Sequence, residues 1–242
     1  MKKVILAGII AGLCTAVLSQ PAMADLVLSG TRVIYPADKK DVTIQMTNKG
    51  KRPLLAQSWI DAGDPSARPE SVDVPFFLTP PVSRIDPEKG QTLRLVYNQP
   101  TLPKDRESLY WLNVLEIPSK AKAGEKKTDN NTLQLAFRTR IKIFFRPGNL
   151  KPLPNEAAAK VVWQKSGDNK ITADNPTPYY ISYSNIDLVS GSRTLDMGDT
   201  MLAPFSKADL TAKQSITGAG WKVKYTSIND YGGADLAETP LK

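Results

Sequence analysis

The 242-residue chain carries a net charge of +8 and contains no histidine and a single cysteine. Without histidine, Ser-His-Asp and Cys-His nucleophiles and His-liganded zinc are excluded. The positive balance favours acidic partners, carboxylates or membrane surfaces, although it also serves plain solubility.

The first element in chain order is a secretory signal. Lys2 and Lys3 precede an apolar run from Val4 to Leu18, and Ala22-Met23-Ala24 offers small residues for cleavage. Residues 1–24 therefore read as a signal peptide, with the mature chain starting at Asp25. The run is too short for a membrane span, and no later segment is long enough for one. Cys14 leaves with the signal, and Leu13 is too large for a lipoprotein cleavage site. The mature chain then has no disulfide and no cysteine-based metal site. A glycine-rich phosphate cradle, a metal-binding acidic cluster and an aromatic-basic RNA motif are all missing, so no cofactor, metal, nucleic acid or enzymatic activity is expected.

The mature sequence reads as short strands broken by turn residues. Leu26 to Tyr35 and Asp41 to Thr47 are β-rich and divided by Pro36-Ala37-Asp38-Lys39-Lys40. A turn from Asn48 to Pro53 leads to Leu54 to Ile60, and Asp61 to Pro75 is rich in Asp, Gly and Pro. Phe76 to Val82 runs on to Arg84-Ile85, followed by Thr92 to Tyr97 and Tyr110 to Ile117. A basic stretch from Ser119 to Lys127 then leads into Leu133 to Pro147. Here Leu133, Leu135, Phe137, Ile141, Ile143 and Phe145 share one face of a strand, while Gln134, Arg138, Arg140, Lys142 and Arg146 share the other. A strand of this length exceeds the usual ~5–6 residues and reaches past its own sheet. Soluble proteins normally suppress such an apolar edge, so this one is available for pairing with another chain; the alternative is a plain core strand.

Roughly seven strands over about 120 residues, with no amphipathic helix, predict an immunoglobulin-like sandwich. Pro147, Pro152 and Pro154 then break the pattern as a stiff hinge. A helical turn over Asn155 to Lys160 precedes further strands at Val161 to Gln164, Lys170 to Ala173, Tyr179 to Leu188, Met201 to Ala203, Ser206 to Leu210 and Trp221 to Ile228. The expected fold is all-β, with two immunoglobulin-like sandwich domains at 25–147 and 148–242. Trp59, Trp111, Trp163 and Trp221 lie in strand-like segments and read as core.

The run Leu102-Pro103-Lys104-Asp105-Arg106-Glu107-Ser108, continued to Asn113 and Ile117-Pro118, resembles the signature of the periplasmic chaperones of the chaperone–usher pilus pathway. Thr31-Arg32, Thr79-Pro80-Pro81-Val82, Lys142 to Pro147, Asn175 to Tyr180 and Asn229 to Gly233 agree with it. The resemblance covers nearly all of the mature chain and implies two domains set in an L. It further implies that Leu133, Leu135 and Phe137 are donated to the open groove of a pilin subunit, a strand-addition mode of recognition. By the same carry-over, Arg32 and Lys142 anchor the subunit's C-terminal carboxylate, and Glu107, Arg146 and Asp230 bridge the domains. Pro53, Thr79 and Pro80 correspond to a region that docks on the outer-membrane usher. The loop before the donor strand is moderate in length, as in the short-loop branch. An exposed apolar strand usually demands some cover, which a self-capping homodimer would supply.

Two other readings compete. A fimbrial structural subunit or adhesin would be one incomplete sandwich, often with a cysteine pair. A carbohydrate-binding periplasmic sandwich protein would stack sugars on tryptophans.

Overall fold

The computed structural model describes residues 25–98, 102–119 and 135–242. The expectations for the signal peptide, for Leu133 and for the loop from residue 120 onward lie outside the described residues.

Among the described residues the first sandwich has nine strands: β1 (Leu26–Leu28), β2 (Arg32–Pro36), β3 (Val42–Asn48), β4 (Leu54–Asp61), β5 (Phe76–Thr79), β6 (Val82–Ile85), β7 (Gly90–Tyr97), β8 (Ser108–Pro118) and β9 (Phe137–Arg146). One sheet runs β1-β3-β7-β5 and the other β2-β9-β8-β4-β6. Alternating side chains bury Ile44, Met46, Leu93, Leu95, Leu112, Val114 and Ile143 between them. Asn48 locks the turn that follows β3. Its amide donates to the Arg52 and Ile85 carbonyls at 2.8 and 2.9 Å and accepts from the Gly50 amide at 2.9 Å.

Two segments read as continuous in the sequence are divided. Leu26 to Tyr35 is two strands in different sheets: β1 pairs antiparallel with β3, and β2 pairs parallel with β9. The step falls at Ser29 to Thr31, around Gly30, where no side chain obstructs the change of direction. Phe76 to Ile85 is likewise split, β5 joining one sheet and β6 the other. Pro80 and Pro81 sit at the corner, where neither has an N–H to continue a ladder.

The second sandwich follows a one-turn helix, α1 (Pro154–Ala157), and a 3-10 turn at Ala158–Lys160. Its strands are β10 (Val162–Lys165), β11 (Lys170–Asn175), β12 (Ile181–Ser190), β13 (Arg193–Leu202), β14 (Ser206–Thr211), β15 (Lys222–Ile228) and β16 (Ala234–Pro240). They form sheets β10-β11-β14 and β13-β12-β15-β16 around Trp163, whose ring meets Tyr183 edge-on at 5.4 Å. The sequence reading missed β16 and saw only the end of β13. β16 is an edge strand exposed along almost its whole length, so it carries no apolar alternation. In β13 the ladder is irregular around Gly198, which sits at φ +79° and interrupts the pattern. Among the described residues no helix is long and apolar enough to cross a membrane.

Candidate functional site

β9 is the spine of the site. β8 pairs with it from Phe137 to Phe145, but on its other side β2 covers only Lys142 to Arg146. The edge of residues 137–141 is therefore free of a neighbour among the described residues. The apolar face divides at the same point. Ile141, Ile143 and Phe145 are in the core at 8, 0 and 4% exposure, whereas Leu135 and Phe137 stand out at 56 and 61%. These two side chains overhang a cavity that Leu54, Pro53 and Pro118 also line.

Where the free edge ends, Arg32 and Lys142 lie side by side, because they are register partners in the parallel β2–β9 ladder. Both turn toward the second sandwich. Arg32 Nη1 donates to the Ile228 carbonyl at 2.8 Å, and Lys142 Nζ donates to Ser182 Oγ at 3.1 Å. Arg32 Nε is buried without an acceptor. Burial pushes the Arg32 guanidinium down, opposed by the charges of Asp230 and Glu107. Burial, and then the charge of Arg32, pushes the Lys142 ammonium down, opposed by Asp199. Two half-buried cations thus meet with only a carbonyl and a hydroxyl as acceptors, an arrangement that an incoming carboxylate would relieve.

Four residues further along β9, Arg146 lies between two acids. Its Nε donates to Glu107 Oε1 at 2.7 Å, and Nη1 and Nη2 grip both Asp230 oxygens at 2.6 and 2.8 Å. Glu107 starts the turn into β8, and its carboxylate is only 1% exposed. It also accepts the Tyr180 amide at 2.8 Å, while its own amide donates to the Pro178 carbonyl at 2.9 Å. The buried Asn175 side chain holds that Pro-Thr-Pro loop in shape by bonding the Tyr179 and Ala203 carbonyls. Burial pushes the Glu107 carboxyl up more than Arg146 and the Tyr180 amide draw it down. Burial alone would depress Arg146, but its bonds and charges with Asp230 and Glu107 hold it above its ordinary value.

Gly232 completes this contact between domains. Its φ is +82°, and a Cβ there would run into Thr31 Oγ1 of the first sandwich. Gly232→Ala should therefore lower the melting temperature by several degrees, through a strain of about 1–3 kcal/mol. Differential scanning calorimetry of the variant checks this.

Pro53, Thr79 and Pro80 are not brought together. Leu54 pairs with Ile85 and Gln57 with Val82, which places Pro53 and the Thr79-Pro80 corner at opposite ends of the β4–β6 ladder. Exposed Phe77 and Val82 flank the corner.

The sequence reading missed a second buried network and misplaced one tryptophan. Asp61, at the end of β4, is fully buried and bound by Arg140 Nε and Nη2 at 3.1 and 2.5 Å and by Asn113 Nδ2 at 2.7 Å. Trp111 is half-buried rather than core, with the Arg140 guanidinium 4.1 Å and the Lys142 ammonium 5.7 Å from its ring centre. The one available signal was an acid directly following a buried β run, which demands a cation elsewhere.

Residues 25–151 match the family described as pili and flagellar-assembly chaperone, PapD N-terminal domain, and residues 156–239 match the pili assembly chaperone PapD, C-terminal domain. The chain belongs to the PapD family of pilus-assembly chaperones. It is 49% identical over 222 residues to the probable fimbrial chaperone YadV of Escherichia coli K12, covering 89% of each chain. To the chaperone protein FimB/FhaD of Bordetella pertussis it is 44% identical over 223 residues, covering 90% of this chain and 88% of that one. The crystal structure of the YadV chaperone superimposes with a TM-score of 0.76, covering 90% of this chain and all of that one. The SafB chaperone of Salmonella enterica, solved in complex with the SafA pilin, gives 0.74 at 27% identity, covering 92% and 99%. The subunit and sugar-binding readings lose ground, because the chaperone family accounts for both sandwiches.

Proposed function

We propose that this chaperone captures pilus subunits in the periplasm by lending them the free edge of β9. The observation that carries the reading is where that edge stops. A partner strand running parallel to β9 would occupy the line that β2 leaves vacant beside residues 137–141. It would have to end where β2 begins, with its terminal carboxylate at Arg32 and Lys142. Phe137 and Leu135, continued by Leu133, would enter the subunit's open groove, and the parallel main-chain ladder would supply sequence-tolerant affinity. Such a capture needs no covalent step.

Glu107, Arg146 and Asp230 would set the angle between domains 25–147 and 148–242, and with it the aim of the two cations. Pro53 and the Thr79-Pro80 corner, being well separated, would offer the outer-membrane usher two contact points rather than one loop. Export by residues 1–24 and self-capping through the same β9 edge complete the reading. The capture of a pilin by the SafB neighbour supports it.

Leu135→Glu and Phe137→Glu test it directly. Both side chains are exposed, so each variant should unfold within about 0.5 kcal/mol of the parent in denaturant. Each should sharply reduce recovery of a co-expressed pilin from the periplasm, since an unpaired charge would enter an apolar groove. Strong destabilisation of either variant, or full pilin recovery, sinks the donor role at that position.

A further inference from the structure

The charged face of β9 has a feature that the capture of a terminal carboxylate does not use. The free segment carries two long cations, Arg138 and Arg140, and both are turned away from the edge. Arg140 lies across β8 on the Asp61 carboxylate, with its guanidinium 4.1 Å from the centre of Trp111. Arg138 donates to Asn113 Oδ1 at 2.9 and 2.6 Å and to the Pro65 carbonyl at 2.6 Å, and stacks 4.8 Å from the centre of Trp59. Asn113 passes the interaction on, its Nδ2 donating to the same Asp61 carboxylate at 2.7 Å. One buried acid two strands away thus gathers both cations over the middle of the sheet.

Soluble proteins close a vulnerable sheet edge with long charged side chains that lie across it. Arg138 and Arg140 are suited to that task, because nothing among the described residues borders this side of residues 137–141. We propose that Asp61 is a positioning residue for strand addition: it parks both guanidinium groups on the sheet and so keeps the edge open to an incoming strand. The inference rests on the strand-addition reading. It explains why a buried carboxylate sits in the outer face of a small sandwich, where two apolar residues would hold the strands together as well.

The test separates parking from ordinary structural support. In Asp61→Asn the guanidiniums lose their charged partner, and recovery of a co-expressed pilin should fall by about tenfold, the range of couplings between interacting residues. Adding Arg138→Gln and Arg140→Gln to that variant removes the two groups that would obstruct the edge, and recovery should return to the parent level. A merely structural role predicts the reverse, since the triple variant has lost still more bonds. The inference is overturned if Asp61→Asn captures normally, or if the triple variant stays as poor as the single one while both remain folded by circular dichroism. Should Asp61→Asn alone not accumulate, the triple variant is compared with the parent directly, and a loss of capture overturns the inference. Parent protein that recovers no pilin at all overturns the strand-addition reading, and this inference with it.

Discussion

Arg32→Ala and Lys142→Ala should each reduce pilin recovery to background while leaving the chaperone's own melt almost unchanged. The two cations occupy one register position of the β2–β9 ladder, at the point where the free edge ends. If they anchor a terminal carboxylate, removing either would leave it desolvated against a single donor, at a cost of about 2–5 kcal/mol, or roughly thirty- to several-thousand-fold in affinity. The fold should tolerate the change. Each side chain makes one hydrogen bond across the cleft, to the Ile228 carbonyl or to Ser182, worth about 1 kcal/mol net. Burial pushes both cations toward neutrality, so truncation also removes a desolvation penalty. Arg32→Lys should recover only part of the binding, because an ammonium cannot present the two parallel donors of a guanidinium. A pilin carrying a C-terminal amide should fail against the parent chaperone in the same way. Near-normal recovery from either alanine variant, with the protein folded, would remove the anchor from the mechanism.

How much of this was legible in the sequence depends on the range of the interaction involved. The alternation in β9 is local, so its two faces could be read directly, but the point at which the apolar face passes from exposed Phe137 to buried Ile141 could not. The division of Leu26 to Tyr35 between sheets was not legible. Which sheet each half joins depends on the strands that offer partners, and both halves alternate equally well. That division decides the site, because it is what leaves residues 137–141 uncovered. The adjacency of Arg32 and Lys142 needs a parallel register that no spacing encodes, and only the family resemblance pointed to it. Asp61 and Arg140 are 79 positions apart and meet through the β4–β8–β9 register, so neither composition nor periodicity marks them. Trp111 looked like core because it is an aromatic residue in a β run, yet its ring forms a platform under cations. β16 went unseen for the opposite reason, since an exposed edge strand needs no apolar pattern.

Arg146→Ala should be the most destabilising of the changes at the junction between domains, by about 3–5 kcal/mol, ahead of Glu107→Ala and well ahead of Asp230→Ala. The order follows from burial. Without Arg146, the Glu107 carboxylate, 1% exposed, keeps only the Tyr180 amide and is left as an uncompensated charge in the interface. Glu107→Ala removes the buried acid itself, and Arg146 retains Asp230. Asp230 is 36% exposed on its side chain, so water can replace much of what its removal takes from Arg146. Its pair falls nearer the surface range of about 1 kcal/mol or less. The response to pH has a sign of its own. Burial raises the Glu107 carboxyl, so the folded protein holds that proton more tightly than the unfolded chain does. Its contribution is full below the ordinary glutamate range and declines as pH rises through the folded-state value, so Glu107→Gln should flatten that decline. Loosening the junction should also broaden small-angle scattering, since the bonds from Glu107 to the Pro178 carbonyl and the Tyr180 amide cross it. Pilin recovery should then fall although Arg32 and Lys142 stay paired in the β2–β9 ladder, because the Ile228 carbonyl and Ser182 hydroxyl that aim their side chains belong to the second sandwich. Melting curves of the three alanine variants that coincide with the parent, together with unchanged scattering, would show that Arg146 does not hold the domains.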